Sequence, residues 1–123
     1  IRNKIALRYN KLLRNLPIIL PKIKKENYSS FHLYVIKFIS NKPELLQGKI
    51  IKKFYKNNIK LNVHYHPIHL HPFFRNLGFK PNMFKQSEKH SVTSLSLPIF
   101  PGLKIDQQKA VVKLLSSFFL SDS

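Results

Sequence analysis

Four histidines, His64, His66, His69 and His71, fall within one short stretch, interleaved with Tyr65, Pro67 and the run Pro72-Phe73-Phe74. Imidazoles two and three residues apart are donors that zinc accepts readily. They also hydrogen-bond small polar ligands beside flat apolar surfaces, as a tyrosine hydroxyl does. The prolines set the later rings in different directions, and the nearest carboxylate in sequence is Glu88. A pocket wall or a packing role therefore fits the stretch better than a metal centre.

Chemistry that the chain could carry alone is poorly supplied. Its carboxylates, Glu26, Glu44, Glu88, Asp106 and Asp122, are scattered. No carboxylate pair, glycine-flanked serine or helical zinc motif is present. The glycines Gly48, Gly78 and Gly102 make no phosphate-cradling loop. The absence of cysteine excludes disulfides, thiolate metal sites and cysteine nucleophiles.

The elements that must position the histidines follow from periodicity. Ile5, Tyr9, Leu12, Leu13 and Leu16 recur at helical spacing and predict an amphipathic helix over 1–16. Pro17 and Pro21 forbid its continuation and predict an extended connector; a polar loop follows over 22–30. Residues 31–39, β-branched, aromatic and apolar on both faces, predict a strand covered by helices on at least one side. Pro43 opens a second helix with Leu46, Ile50 and Phe54 on one face, weakened by Gly48 and ended by Asn57-Asn58.

Ile59, Leu61, Val63 and Tyr65 alternate with Lys60, Asn62 and His64, which predicts a half-buried strand over 59–65. The histidine stretch then begins at a strand end, where binding residues gather in α/β folds. Short helices are expected over 72–77 and 87–93, with extended, turn-rich backbone over 95–102. A last helix has Asp106 as its N-cap or in its first turn. Its buried stripe is Ala110, Val111, Leu114, Leu115, Phe118 and Phe119. Phe73 and Phe74 read as core, and Pro98, Pro101 and Gly102 as residues that shape the backbone. This order predicts an α/β fold of the α+β type, one small two-layer domain over 1–123 with a small sheet flanked by helices.

Composition bounds the rest. A length of 123 residues and a hydrophobic fraction of 43% suit one domain with a modest core. An opening Ile1 in place of methionine fits a chain that begins inside a longer polypeptide. No apolar run is long enough to span a bilayer, and the N-terminus lacks a signal-peptide core; a cytoplasmic location is expected. The net charge of +17 raises nucleic-acid binding as an alternative. The cations are dispersed from Arg2 to Lys113, however, and lysine greatly outnumbers the arginine forks that base-edge readers use. An orphan scaffold or interaction fragment is a further alternative.

The order of motifs adds a resemblance. Phe31-His32-Leu33-Tyr34-Val35-Ile36, Val63 through Phe74, Leu77-Gly78-Phe79, Ser87-Glu88-Lys89 and Leu95 through Leu103 follow one another, with Gln107-Gln108 opening the last helix. The series resembles the C-terminal part of the DegT/DnrJ/StrS sugar aminotransferases over nearly the whole chain. It is most similar to those that aminate a UDP-linked 4-keto-6-deoxy-N-acetylhexosamine, as in the pseudaminic-acid pathway. The resemblance implies the small C-terminal domain of a fold-type-I transferase dependent on pyridoxal 5'-phosphate. Its preceding domain would carry the Schiff-base lysine and the other cofactor-binding residues, none of which is matched here. The implied partners are glutamate, the UDP-sugar and a second subunit in a homodimer, with no membrane and no nucleic acid.

Carried onto this sequence, the loop from Tyr65 to His71 would face the sugar nucleotide. Tyr65 and His69 are the first candidates for contact, with His64, His66 and His71 second. Two places depart from the family pattern: Asn57-Asn58 stands where a glycine is common, and Phe84-Lys85 where Phe-Pro is common.

Overall fold

The computed structural model of the chain describes residues 1–119; Asp122 lies outside them. Helix α1 (Arg2–Leu13) buries Ile5, Ala6, Tyr9 and Leu13. The spacing of these residues wraps one stripe onto the sheet, and Leu12 falls on the wetter side of it. The proline connector contains a strand that periodicity does not reveal, β1 (Ile18–Ile19), paired antiparallel with β2 (Tyr34–Phe38). Pro17 and Pro21 bracket β1, and a ring without an N–H cannot donate to a ladder. The pairing is therefore two residues long.

Strand β2 is shorter than the expected 31–39. Phe31 adopts φ 47 in the left-handed region, and its N–H takes the Ser29 hydroxyl at 3.1 Å. That turn delays the ladder. Within β2, Tyr34, Ile36 and Phe38 are buried and Lys37 is exposed, so one face is dry rather than two. β2 also pairs antiparallel with β3 (Ser94–Leu97), with Tyr34 opposite Leu97 and Ile36 opposite Leu95. The sheet order is β1-β2-β3.

The strand expected over 59–65 does not form. Ile59, Leu61 and Val63 do pack against the core, so the alternation reports burial correctly. Backbone pairing is limited to a bridge at Asn62 and Ser96, where the Ser96 N–H donates to the Asn62 carbonyl at 2.9 Å. An alternating pattern describes which side chains are covered, and it does not require a ladder.

Helix α2 (Pro43–Lys56) buries Ile50 and Phe54. It ends in a Schellman motif: the Asn58 N–H donates to Tyr55 and the Ile59 N–H to Phe54. Asn58, at φ 58, occupies the left-handed position where glycine is usual and asparagine is tolerated. The departure from the family pattern at Asn57-Asn58 thus keeps the same backbone geometry. The short helix α3 (Pro72–Asn76) closes in the same way on Gly78, at φ 98, with the Phe79 ring 6.1 Å from Phe74. Phe74 is half-buried, but Phe73 is 68% exposed and is not core.

Helix α4 (Lys85–Thr93) and helix α5 (Ile105–Ser116) complete the fold. Asp106 lies in the first turn of α5, and the Lys104 N–H is held by the Gln107 side chain at 2.9 Å. Val111 and Leu115 are buried, Ala110 is exposed, and Phe118 and Phe119 lie half-buried beyond the helix end. Gln108, with no exposure at all, donates to the Ile5 carbonyl at 2.8 Å and accepts from Arg8 at 2.9 Å. A buried amide satisfied on both sides locks α5 to α1.

Substitutions at three positions test these assignments. Phe54→Ala removes a ring with 0% exposure and is expected to cost about 3–5 kcal/mol in denaturant unfolding, whereas Phe73→Ala should be near neutral. At the α2 terminus, Asn58→Ala should cost up to about 1 kcal/mol, because alanine keeps the Cβ but loses the short polar side chain that eases left-handed backbone. Asn58→Gly should be neutral or stabilising in the same measurement.

Candidate functional site

The histidine loop leaves the Asn62–Ser96 bridge and crosses the end of β3. His64 is held there: its Nε2 lies 2.8 Å from the Ser96 hydroxyl. Its Nδ1 is shut off from solvent and has no hydrogen-bond partner. The His64–Tyr65 peptide is cis, and the Tyr65 ring stands edge-on to His64 at 4.6 Å. Tyr65 itself is 71% exposed, so its hydroxyl points away from the core.

Pro67, which is buried, starts a single 3-10 turn over Ile68–Leu70, with the Leu70 N–H donating to Pro67 and the His71 N–H to Ile68. This turn brings His66 and His71 together, their rings 5.0 Å apart and near-perpendicular. His69 is rotated inward instead and is only 7% exposed. Its Nε2 meets Glu88 Oε1 at 2.9 Å, and Phe84 stands edge-on to the ring at 4.8 Å.

Glu88 is the site residue that sequence reasoning missed. It is 19 positions from His69, a separation that proximity in sequence does not bridge. α4 carries it back against the loop, where the same carboxylate oxygen accepts the Asn82 N–H at 2.8 Å. Asn82 lies in the left-handed region at φ 71, which aims that N–H inward. Partial burial alone would raise the carboxyl pKa. The His69 hydrogen bond, the backbone N–H groups of Asn82 and Phe84, and attraction to His69 outweigh burial and hold it below its usual value. The motif Ser87-Glu88-Lys89 was the available signal, and Ser96 had a weaker one as part of the Leu95–Leu103 segment.

The five loop candidates therefore form three small groups rather than one centre: Tyr65 with His64, His66 with His71, and His69 with Glu88. Among the described residues, no three His, Cys, Asp or Glu side chains are grouped so as to hold a metal ion. A recess of about 410 Å³ opens between the loop, α2 and α4, lined by His66, Leu70, Asn82, Lys85, Glu88 and Lys89 among others. A more apolar groove of about 670 Å³ lies away from the histidines, between Asn57–Lys60 and α5. The loop can present a phenol and two imidazoles to a ligand from a wall braced by the largely buried His69–Glu88 hydrogen bond.

No helix is long and apolar enough to cross a membrane among the described residues. Every lysine of the chain is exposed.

The chain is 36% identical over 121 residues to MJ1066 of Methanocaldococcus jannaschii, an uncharacterized protein, covering 94% of this chain and 31% of that one. The fold superposes on Spr1654 of Streptococcus pneumoniae, a provisionally named sugar aminotransferase in its PLP form, with a TM-score of 0.86 and 24% identity over 95% of this chain and 30% of the other. It also superposes on PseC of Helicobacter pylori, an aminotransferase of pseudaminic-acid biosynthesis, with a TM-score of 0.85 and 23% identity. There the match covers 98% of this chain and 32% of PseC. The α+β fold is thus that of a region found in PLP-dependent aminotransferases, and the chain spans about a third of the length of the proteins it matches. Residues 1–116 match a single family description, and by that match the chain belongs to the DegT/DnrJ/EryC1/StrS aminotransferase family.

Proposed function

We propose that this chain is the small-domain portion of a PLP-dependent sugar aminotransferase. In this reading the complete enzyme moves an amino group from glutamate to the keto carbon of a nucleotide-linked sugar destined for a surface glycan. The observation that carries the reading is the family match over 1–116. The 4-keto-6-deoxy-N-acetylhexosamine of the pseudaminic-acid route is the sugar that the motif order favours, and the cytoplasm is the compartment that supplies it.

The cofactor does not fit this chain alone. A lysine that carries PLP is desolvated in a pocket, and every lysine here is exposed. The cofactor's attachment therefore belongs to the part of its relatives that this chain does not span. Bound there, the cofactor supplies the electron handling, while protein groups orient the sugar.

The contribution of these residues is a wall. Tyr65, exposed at the loop tip, is placed to meet the sugar or nucleotide. His66 and His71 add a second polar contact, with His64 behind them on Ser96. The cofactor domain and a second subunit are the partners this reading requires. Exposed Ile68, Phe73 and Leu77 give the loop and α3 apolar surface for such contact. The +17 charge would steer an anionic UDP-sugar toward the wall.

Two outcomes are expected. Mixed with pyridoxal phosphate and reduced with borohydride, the chain should give no stoichiometric label on any one lysine and no transaminase activity; labelling of a single lysine would overturn the division of labour. Titrated with a UDP-linked hexosamine, it should bind weakly, with NMR shift changes centred on Tyr65, His66 and His71 and lost in Tyr65→Ala. Changes confined to scattered lysines and abolished by moderate salt would instead indicate a non-specific polyanion effect.

A further inference from the structure

The Ser87-Glu88-Lys89 motif offers no group to the ligand in the wall just described, yet Glu88 holds the wall's one buried histidine, His69, at 2.9 Å. Three segments meet at its carboxylate: the 3-10 turn through His69, the turn before α4 through the Asn82 N–H, and α4 itself. His69 and Asn82 both converge on Oε1, at 2.9 and 2.8 Å. The node is largely dry, with the His69 side chain 7% and the Glu88 side chain 21% exposed, and Phe84 packs on the imidazole.

We propose that Glu88 is the positioning residue of the histidine loop, fixing both the tautomer of His69 and the course of the 64–71 wall. An ionised carboxylate only accepts hydrogen bonds, so His69 must present its proton at Nε2. In the neutral ring Nδ1 is then the acceptor. A wall built this way offers a hydroxyl-bearing ligand the phenol of Tyr65 and the exposed imidazoles of His66 and His71, with His69 braced behind them. This last step rests on the sugar-nucleotide reading, whereas the tautomer and the loop's order do not.

The node also has a defined response to acid. The charged and titratable groups facing it are Glu44 from α2, His66 from the loop, and Lys85 and Lys89 from α4. Nε2 carries a proton in both the neutral tautomer and the imidazolium, so the contact does not depend on the charge of His69. Glu88 is held below its usual range. Its contribution is therefore complete above the unfolded carboxylate value, about 4.3, and is lost as pH falls through the lower folded value.

The test uses the 123-residue chain without sugar or cofactor. Long-range 15N–1H NMR at neutral or higher pH should show His69 as the Nε2–H tautomer. In Glu88→Ala, the Leu70 and His71 amides should exchange about tenfold faster or more, because a charged hydrogen-bond acceptor has been removed. The β2–β3 amides should keep their protection. Glu88→Gln, which keeps the shape and loses the charge, should give mixed tautomers and a loop whose order no longer falls with acid. If Glu88→Ala does not fold, the tautomer in the parent chain and in Glu88→Gln decides the matter. An Nδ1–H tautomer in the parent, or unchanged Leu70 and His71 exchange in a folded Glu88→Ala, overturns the proposal. A failure of UDP-hexosamine to bind the parent would count against the substrate reading alone.

Discussion

The tilted aromatic pair of Tyr9 and Tyr34 is the contact on which the rest of the structure depends. Both side chains have 0% exposure, and their rings lie 4.9 Å apart. Two phenols in so dry a place must each find a partner for the hydroxyl. Tyr9 donates to the Pro98 carbonyl at 2.9 Å, and Tyr34 to the Asn10 side chain. Burial pushes both phenol pKa values well above the usual range, with the Tyr34 hydroxyl adding to the rise at Tyr9, so both remain neutral donors. One pair thereby fixes α1 on β2 and pins the backbone just after β3. Gln108 ties α5 to the same helix, while the β3 end is held by Tyr9 at Pro98 and by the ladder from Tyr34 to Leu97, and the histidine loop crosses that end.

Much of this was legible in the residues, for reasons that differ by element. Helices α1, α2 and α5 put their buried side chains at intervals close to 3.6, and α2 begins at Pro43 and ends at the Asn57-Asn58 pair, whereas α1 stops at Leu13, short of the expected 1–16. Local chemistry is enough to find such boundaries. The 59–65 segment shows the opposite case. Its alternation is real, but backbone pairing depends on what lies alongside, and β3 meets it once, at Asn62. Phe73 misled in a similar way, since a five-residue helix at the surface cannot bury both members of an adjacent aromatic pair.

Within the candidate site, residue type was informative and distance along the chain was not. Four imidazoles suggested a shared task, but the fold gives each a different environment: a serine hydroxyl for His64, a carboxylate for His69, and each other's rings for His66 and His71. The carboxylate could not be assigned from spacing, because its approach depends on the turn at Gly78–Asn82 and on the register of α4 against the loop. The motif order, taken as a family resemblance, did include Ser87-Glu88-Lys89, and there the resemblance carried information that periodicity lacks.

The two-residue strand between Pro17 and Pro21 has a consequence for the chain's behaviour in concentrated solution. An open sheet edge is a template for a strand from another molecule, and edges of this kind lead to intermolecular β-assembly. Here the outer strand offers too few free amides to nucleate such growth, and a proline on each side prevents lengthening. Lys37, exposed on the neighbouring strand, adds a charge that an incoming strand would have to cover. The opposite edge is crossed by the backbone at Asn62. The sheet is thus closed to extension on one side by missing donors and on the other by a single crossing strap, so its architecture selects against fibrous growth.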